Sequence, residues 1–434
     1  MRIRKSFWVF TIFVLIALML AWYAGRFSFF PASRIVFYRI AIGSTLFILF
    51  NWAWTLLATK KISLTRIQRV LKLPVGNVFE ERYEIKNYSK LWRLWIEIED
   101  LSKLPGNAGS KVLSQINPRQ ERFYISRTIL IKRGAYSLGP TILRSGDPFG
   151  MFISERTFSA DKTLIVLPFT EQIDNIVQQQ GFYLGGHAIR QKSLEATSHA
   201  AGVRDYQPGD PLNRIHWKSS ARKDRFMVKE FDQDPQGDVW ILLDASRLTQ
   251  YEAQELNTNF IPDSFWAWKN QEKFRLPAST FEYSVSIVAS LADYFVKSDK
   301  PVGIACADSK MIVLTPEKGE RQLGKIMDTL AFLEGEGNLS LNELIETISH
   351  QIPRGSSVYL VTSGGEASAQ IGLEMLIRKR LNPFLIVVDK ESFNVDTVEK
   401  ESSLGGWVSM TYPQIIIQYN DSIRERISKF GLLN

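Results

Sequence analysis

Two stretches near the start of the chain carry no charge. Phe7 to Gly25 reads FWVFTIFVLIALMLAWYAG and Ile40 to Ala58 reads IAIGSTLFILFNWAWTLLA, nineteen residues each. About 20 apolar residues cross a bilayer core as helix, so both runs predict transmembrane helices, paired as a hairpin within residues 1–61. Trp8, Trp22, Tyr23, Trp52 and Trp54 stand near the ends of the runs, where aromatic belts are expected. A cleaved signal peptide accounts for one such stretch but not for a second, and no Ala-x-Ala pattern follows the first. Buried core helices are the alternative.

From 62 to 170 the pattern becomes strand-like. Short alternating runs such as Trp92–Glu99 (WRLWIEIE) are cut by turn signals such as Leu104-Pro105-Gly106-Asn107, which predicts a β-sandwich-like domain. Asp147-Pro148-Phe149-Gly150 reads as a tight turn locking two strands. Residues 171–236 form a connecting segment. From 237 to 434, continuous apolar strands at Val239–Leu243, Val302–Ala307, Ser357–Val361 and Phe384–Val388 alternate with helical periods. Those periods fall near Thr280–Lys297, Gly319–Leu333, Leu341–Gln351 and Ala367–Arg380, with a loop insertion at 249–279. Buried strands alternating with helices predict a parallel, doubly wound sheet whose sites lie at the carboxyl ends of its strands. The fold class is therefore multi-domain α+β: a helical hairpin, a small β-rich domain and a C-terminal α/β domain.

Charge refines this picture. The net +8 arises from 53 basic and 45 acidic residues, but residues 1–79 hold eleven Lys or Arg and no Asp or Glu. Removing those eleven leaves 42 basic against 45 acidic, a net of −3, which argues against nucleic-acid binding by the remainder. The basic residues flanking the two helices number eight on the outer sides (Arg2, Arg4, Lys5, Lys60, Lys61, Arg66, Arg69, Lys72) and three between (Arg26, Arg34, Arg39). That bias places both termini, and the soluble domains with them, in the cytoplasm of a cell-membrane protein. The single cysteine, Cys306, excludes an internal disulfide and falls in an apolar run as a buried structural thiol.

Two places could carry chemistry. Asp244 and Ser246 end the first apolar strand of the C-terminal domain, offering hard oxygen ligands suited to Mg²⁺. An apolar strand ending in Asp-x-Ser resembles the von Willebrand factor A domain, which binds a metal through Asp-x-Ser-x-Ser plus a distant Thr and Asp. Here Leu248 holds the second Ser position, and Val361-Thr362-Ser363-Gly364-Gly365 lacks the late Asp. The site is expected to be degenerate, with no cofactor or only weak Mg²⁺ binding.

The second place is Gly202–Phe231, GVRDYQPGDPLNRIHWKSSARKDRFMVKEF. Pro208-Gly209 sets a turn, Asp210 is positioned to cap a short helix with Pro211 first, and that helix would carry Arg214, His216, Trp217 and Lys218. Arg204, Tyr206, Gly209, Asp210, Arg214, His216, Trp217 and Arg222 are the expected structural or partner-binding residues. Their spacing, with Arg133-Gly134-Ala135-Tyr136 and Asp147-Pro148-Phe149-Gly150 upstream, resembles the bacterial domain of unknown function 58 family. The resemblance implies no established activity, and a partner among the MoxR-type AAA+ ATPases commonly encoded beside its members. The expected function is thus a non-enzymatic membrane-anchored scaffold or adaptor that touches the bilayer and a protein partner, with no small-molecule substrate identified. The alternative is a membrane-bound hydrolase using His216, oriented by Asp205 or Asp210 and activating Ser219 or Ser220. No Gly-x-x-x-x-Gly-Lys-Ser/Thr, Gly-x-Gly-x-x-Gly or His-Glu-x-x-His motif is present.

Overall fold

The computed structural model describes residues 1–27, 31–176, 200–207, 215–231, 238–253, 274–393 and 414–430. The chain is a mixed α and β protein with two apolar N-terminal helices and several sheets. It divides into two compact units, the first mainly Met1–Phe169 and the second most of the chain from Thr170.

The first unit opens with β1 (Arg2–Ile3), α1 (Lys5–Phe27) and α2 (Pro31–Ala58). Lys5–Ala24 and Arg34–Ala58 are long and apolar enough to cross a membrane, by length and composition. The second helix starts earlier than the charge-free run at Ile40. Pro31 suits the first helical position, where no N–H is needed, and nothing between it and Ile40 breaks the helix. Trp8, Met19, Leu46 and Phe50 are exposed on these helices, part of the kind of apolar surface that marks a lipid or protein contact.

Ten strands follow: β2 (Ile62–Gln68), β3 (Lys72–Pro74), β4 (Val78–Asn87), β5 (Arg93–Asp100), β6 (Lys111–Ile116), β7 (Glu121–Ile129), β8 (Gly134–Ser137), β9 (Thr141–Gly146), β10 (Phe152–Phe158) and β11 (Thr163–Leu167). They form sheets in the orders β1-β10-β9-β5-β6, β2-β4-β7 and β3-β11-β8. Alternate residues face inward, so Tyr83 and Ile85, Ile96 and Ile98, Ile116, Tyr124 and Leu143 make one core.

A buried polar lock sits beside that core. Arg66 reaches Glu81 at 2.8 Å and Asp100 at 2.9 Å, and both carboxylate side chains are almost wholly buried. Tyr83 and Asn107 each donate to Asp100 Oδ2 at 2.8 Å. Burial alone would push the Asp100 carboxyl up, but Arg66 and the Asn107 and Tyr83 hydrogen bonds outweigh it and hold it below the usual carboxylate range. Gly109 closes over the group: a Cβ there would overlap the Tyr83 hydroxyl and come within 2.8 Å of Asp100 Oδ2. At the opposite end of β9, buried Asp147 gathers the turn into β10. Its Oδ1 accepts from the Phe152 N–H at 2.6 Å, and its Oδ2 accepts from Phe149 and Met151 at 3.0 and 3.1 Å.

From residue 200 the elements are β12 (Ala200–Asp205), α3 (Trp217–Lys223), β13 (Met227–Phe231), β14 (Val239–Leu243), α4 (Thr280–Lys297), β15 (Val302–Ala307), β16 (Met311–Glu317), α5 (Glu320–Ala331), α6 (Leu341–Ile348), β17 (Ser357–Thr362), α7 (Glu366–Arg378), β18 (Asn382–Val388), β19 (Gln414–Ile417) and α8 (Ile423–Phe430). Six strands form one sheet in the order β16-β15-β14-β17-β18-β19. Five are parallel, while β16 runs antiparallel to β15. An all-parallel sheet was the sequence expectation. The short link at residues 308–310 cannot hold a crossover, so β16 turns back as a hairpin. Pro316 is tolerated there because β16 is an edge strand. Strand order reverses between β14 and β17, which makes their carboxyl ends the topological switch point. Most of the 249–279 segment lies outside the described residues.

Candidate functional site

Asp244 follows the last residue of β14, and Thr362 ends β17, so the sheet brings both to the switch point. Thr362 Oγ1 donates to Asp244 Oδ2 at 2.6 Å, and the Ser246 N–H donates to Asp244 Oδ1 at 3.0 Å. Gly364 N–H in turn donates to Thr362 Oγ1 at 2.9 Å. A second layer surrounds Gln250, whose Nε2 donates to the Asp244 carbonyl at 2.9 Å. Its Oε1 accepts from Thr280 at 3.0 Å and from Ser363 at 3.1 Å. Thus the loop after β14, the loop after β17 and the first turn of α4 share one hydrogen-bond network.

Burial pushes the Asp244 carboxyl up, and the hydrogen bonds from Thr362 and Ser246 pull it back only in part. Gly337 seals the side of the site. Its N–H donates to the Ala245 carbonyl at 2.9 Å, and a Cβ there would overlap the Ala307 carbonyl oxygen. Cys306, buried at the end of β15, has its thiol pushed up to about 12 by burial and by nearby Asp308.

The donor chemistry here is one carboxylate and several hydroxyls. Among the described residues no group of three or more His, Cys, Asp or Glu side chains is placed to hold a metal. The Thr362 and Ser363 hydroxyls donate within the network, and both Asp244 carboxylate oxygens accept from it. Position 248 holds Leu, 88% exposed, and offers no side-chain oxygen. A hard cation needing about six oxygens would have to take most of them from water. Among the described residues this donor set does not fit a resident Mg²⁺. Asp244 and Ser246 stand out in the sequence by their place at a strand end, whereas Thr362 and Ser363 stand there only in a segment that lacks the late Asp. Gln250, Thr280 and Gly337 carry no such mark in the sequence.

The signature segment folds as a two-stranded ladder, with Arg204 opposite Val228 and Asp205 opposite Met227. Tyr206 N–H donates to the Phe226 carbonyl at 2.9 Å, and His216 N–H donates to the Met227 carbonyl at 2.7 Å. His216 is the N-cap of α3: its Nδ1 accepts the Ser219 N–H at 3.1 Å and lies 2.7 Å from Ser219 Oγ. A backbone N–H only donates, so Nδ1 is the unprotonated nitrogen and the Ser219 hydroxyl is the second donor.

The helix was expected to include Arg214 and His216. It begins instead at Trp217, because Ile215 bridges to Val228 and the imidazole supplies the cap. Asp205 pairs with Arg225 at 3.0 Å. Trp217 and Phe226, 66% and 57% exposed, meet edge to face at 6.4 Å, and Phe226 also meets Tyr206 at 6.2 Å. Arg222 is exposed in the last turn of α3. Gly209, Asp210 and Arg214 lie outside the described residues, as does the Arg204 side chain.

Residues 202–261 match a family model described as a protein of unknown function, DUF58. The chain is also similar to an uncharacterized protein of Bacillus subtilis (strain 168), YeaD, at 26% identity over 204 residues. That similarity covers 46% of this chain and 43% of the relative, so the chain spans less than half the length of the curated relative it matches.

Proposed function

We propose that the chain is a membrane-anchored scaffold whose C-terminal unit, von Willebrand A-like in kind, presents a cytoplasmic surface to a protein partner. The carrying observation is the state of the switch point. Its carboxylate and hydroxyls are hydrogen-bonded to one another, while the turn after Ser246 offers Leu248, 88% exposed, to solvent. Groups hydrogen-bonded among themselves next to an exposed apolar turn suit contact with a protein better than turnover of a small substrate. The order of the sheet and the Asp-x-Ser at the end of β14 support the von Willebrand A-like reading. The partner proposed is a MoxR-type AAA+ ATPase, on the family resemblance. Orientation is supported by the anchor itself: β1 pairs with β10 and α2 runs directly into the β unit, so both outer ends of the hairpin lie on one side. The flanking positive charge makes that side cytoplasmic.

The hydrolase reading keeps one observation, the 2.7 Å separation of Ser219 Oγ and His216 Nδ1. A helix cap explains the same geometry, and it is the reading preferred. Pull-down of a purified MoxR-type ATPase by the full chain in nanodiscs separates the two. Retention is expected for wild type and His216→Gln, with at least a tenfold loss for Leu248→Asp. Retention unaffected by Leu248→Asp, with a hydrolytic activity that disappears in His216→Gln, would reverse the assignment.

A further inference from the structure

The turn between β9 and β10 is built against the apolar helices. The Phe149 ring lies 4.8 Å from the Phe47 ring of α2, and Phe47 in turn lies 5.7 Å from Phe10 of α1. Ser6 Oγ donates to the Gly150 carbonyl, and Arg4 N–H donates to the Met151 carbonyl at 3.0 Å. Further along the same strand, Ser154 Oγ meets Thr59 Oγ1 at 2.8 Å. The Phe47–Phe149 and Thr59–Ser154 contacts set β10 and the last turns of α2 side by side. Asn51, Thr55 and Ala58, all buried, fall on that stretch of α2.

One side of those last turns of α2 is covered by protein, while Phe50, Trp52, Leu56 and Leu57 stay exposed on the other. The tip of the β9–β10 turn meets the start of α1 at Ser6 and meets α2 at Phe47. Phe149 occupies the tip and remains 54% exposed even after packing on Phe47. Arg4 and Lys5, exposed at the same level, are cations with long apolar stems. An exposed aromatic ring flanked by cations at the foot of α1 matches the chemistry of the headgroup layer, roughly 5–7 Å deep on each side of the hydrocarbon.

We infer that this turn is a lipid seat: Phe149 enters the headgroup–acyl boundary of an anionic phospholipid bilayer, with Arg4 and Lys5 on the phosphates. The β unit is then held against the bilayer as well as tethered to it. The inference rests on the membrane reading of the two helices, and the test separates the two. Phe149→Cys and Leu101→Cys full-length chains are each labelled with an environment-sensitive fluorophore. Leu101 is exposed and bonded to Pro140 at the far end of the same sheet, while buried Cys306 stays unlabelled in folded chain. The chains are reconstituted into phosphatidylcholine–phosphatidylglycerol vesicles. The label at position 149 should be quenched at least twofold more by nitroxide placed high in the acyl chain than the label at position 101, and should be shielded from aqueous iodide. Flotation with the vesicles but equal iodide quenching at both positions would overturn the seat alone. Failure of the full chain to float with vesicles would overturn the membrane reading and the seat together.

Discussion

Asp244 stands where a doubly wound sheet places its working side chains, yet it is nearly inaccessible and its carboxylate accepts from Thr362 and Ser246. Burial raises its proton affinity in the folded chain. Such a carboxyl costs the fold nothing below the ordinary carboxylate value near about 4, where both states are protonated. The cost then grows as pH climbs toward the folded-state value. Asn in its place accepts from the Ser246 N–H and donates to Thr362 without carrying charge. Asp244→Asn should therefore raise the melting temperature relative to wild type at about pH 8 and lose that advantage at about pH 4. Thr362→Val leaves the carboxylate without its hydroxyl donor and should destabilise by about 1–3 kcal/mol. Thermal melts at both pH values check the pair, and a pH-independent Asp244→Asn effect would contradict the desolvation argument. The sequence identified Asp244 and Ser246 because an apolar run followed by polar residues marks a strand end. It could not identify Gln250 and Thr280, whose partnership depends on α4 folding back across the sheet.

At the level of elements, the two units were legible to different depths. The strand Val302–Ala307 stands out as a continuous apolar run and is buried at every position. By contrast β16 has no fully buried residue and contains Pro316, so its place in the sheet is evident only once β15 supplies a partner. The Arg66 lock was equally hidden. Arg66 looks like one more positive charge flanking a membrane helix, whereas it pairs with Glu81 and Asp100 from two other strands. Removing the cation strands two buried carboxylates, so Arg66→Met should cost roughly 3–5 kcal/mol. Asp100, held below its usual range, adds stability that is present above the ordinary carboxylate value and fades as pH falls through the folded-state value. The penalty of Arg66→Met should accordingly shrink on acidification, when the stranded carboxylates take up protons. Denaturant melts of wild type and Arg66→Met across that range measure it, and a penalty under about 1 kcal/mol would place the lock among ordinary surface pairs.

For the whole molecule, where the charge sits matters more than how much there is. The +8 is carried by residues 1–79, which hold eleven cations, against −3 for the remainder. Three of those cations are already paired: Arg66 lies inside the lock, Arg2 meets Glu155 at 3.4 Å, and Lys72 meets Asp328. Arg4 and Lys5 lead directly into α1, and Lys60 and Lys61 follow α2 directly, all four exposed. A bilayer with anionic headgroups would occupy this belt and take it out of reach of a phosphate backbone. Nucleic-acid affinity built on phosphate contacts falls steeply between about 50 and 200 mM salt, with a slope that counts the contacts. The full chain in phosphatidylglycerol-containing nanodiscs should therefore retain no duplex DNA above empty nanodiscs at either salt concentration. Mobility-shift titrations provide the measurement. Retention at the lower salt that collapses at the higher would mean that a basic surface outside the membrane belt had formed, and the partner would then be sought among nucleic acids.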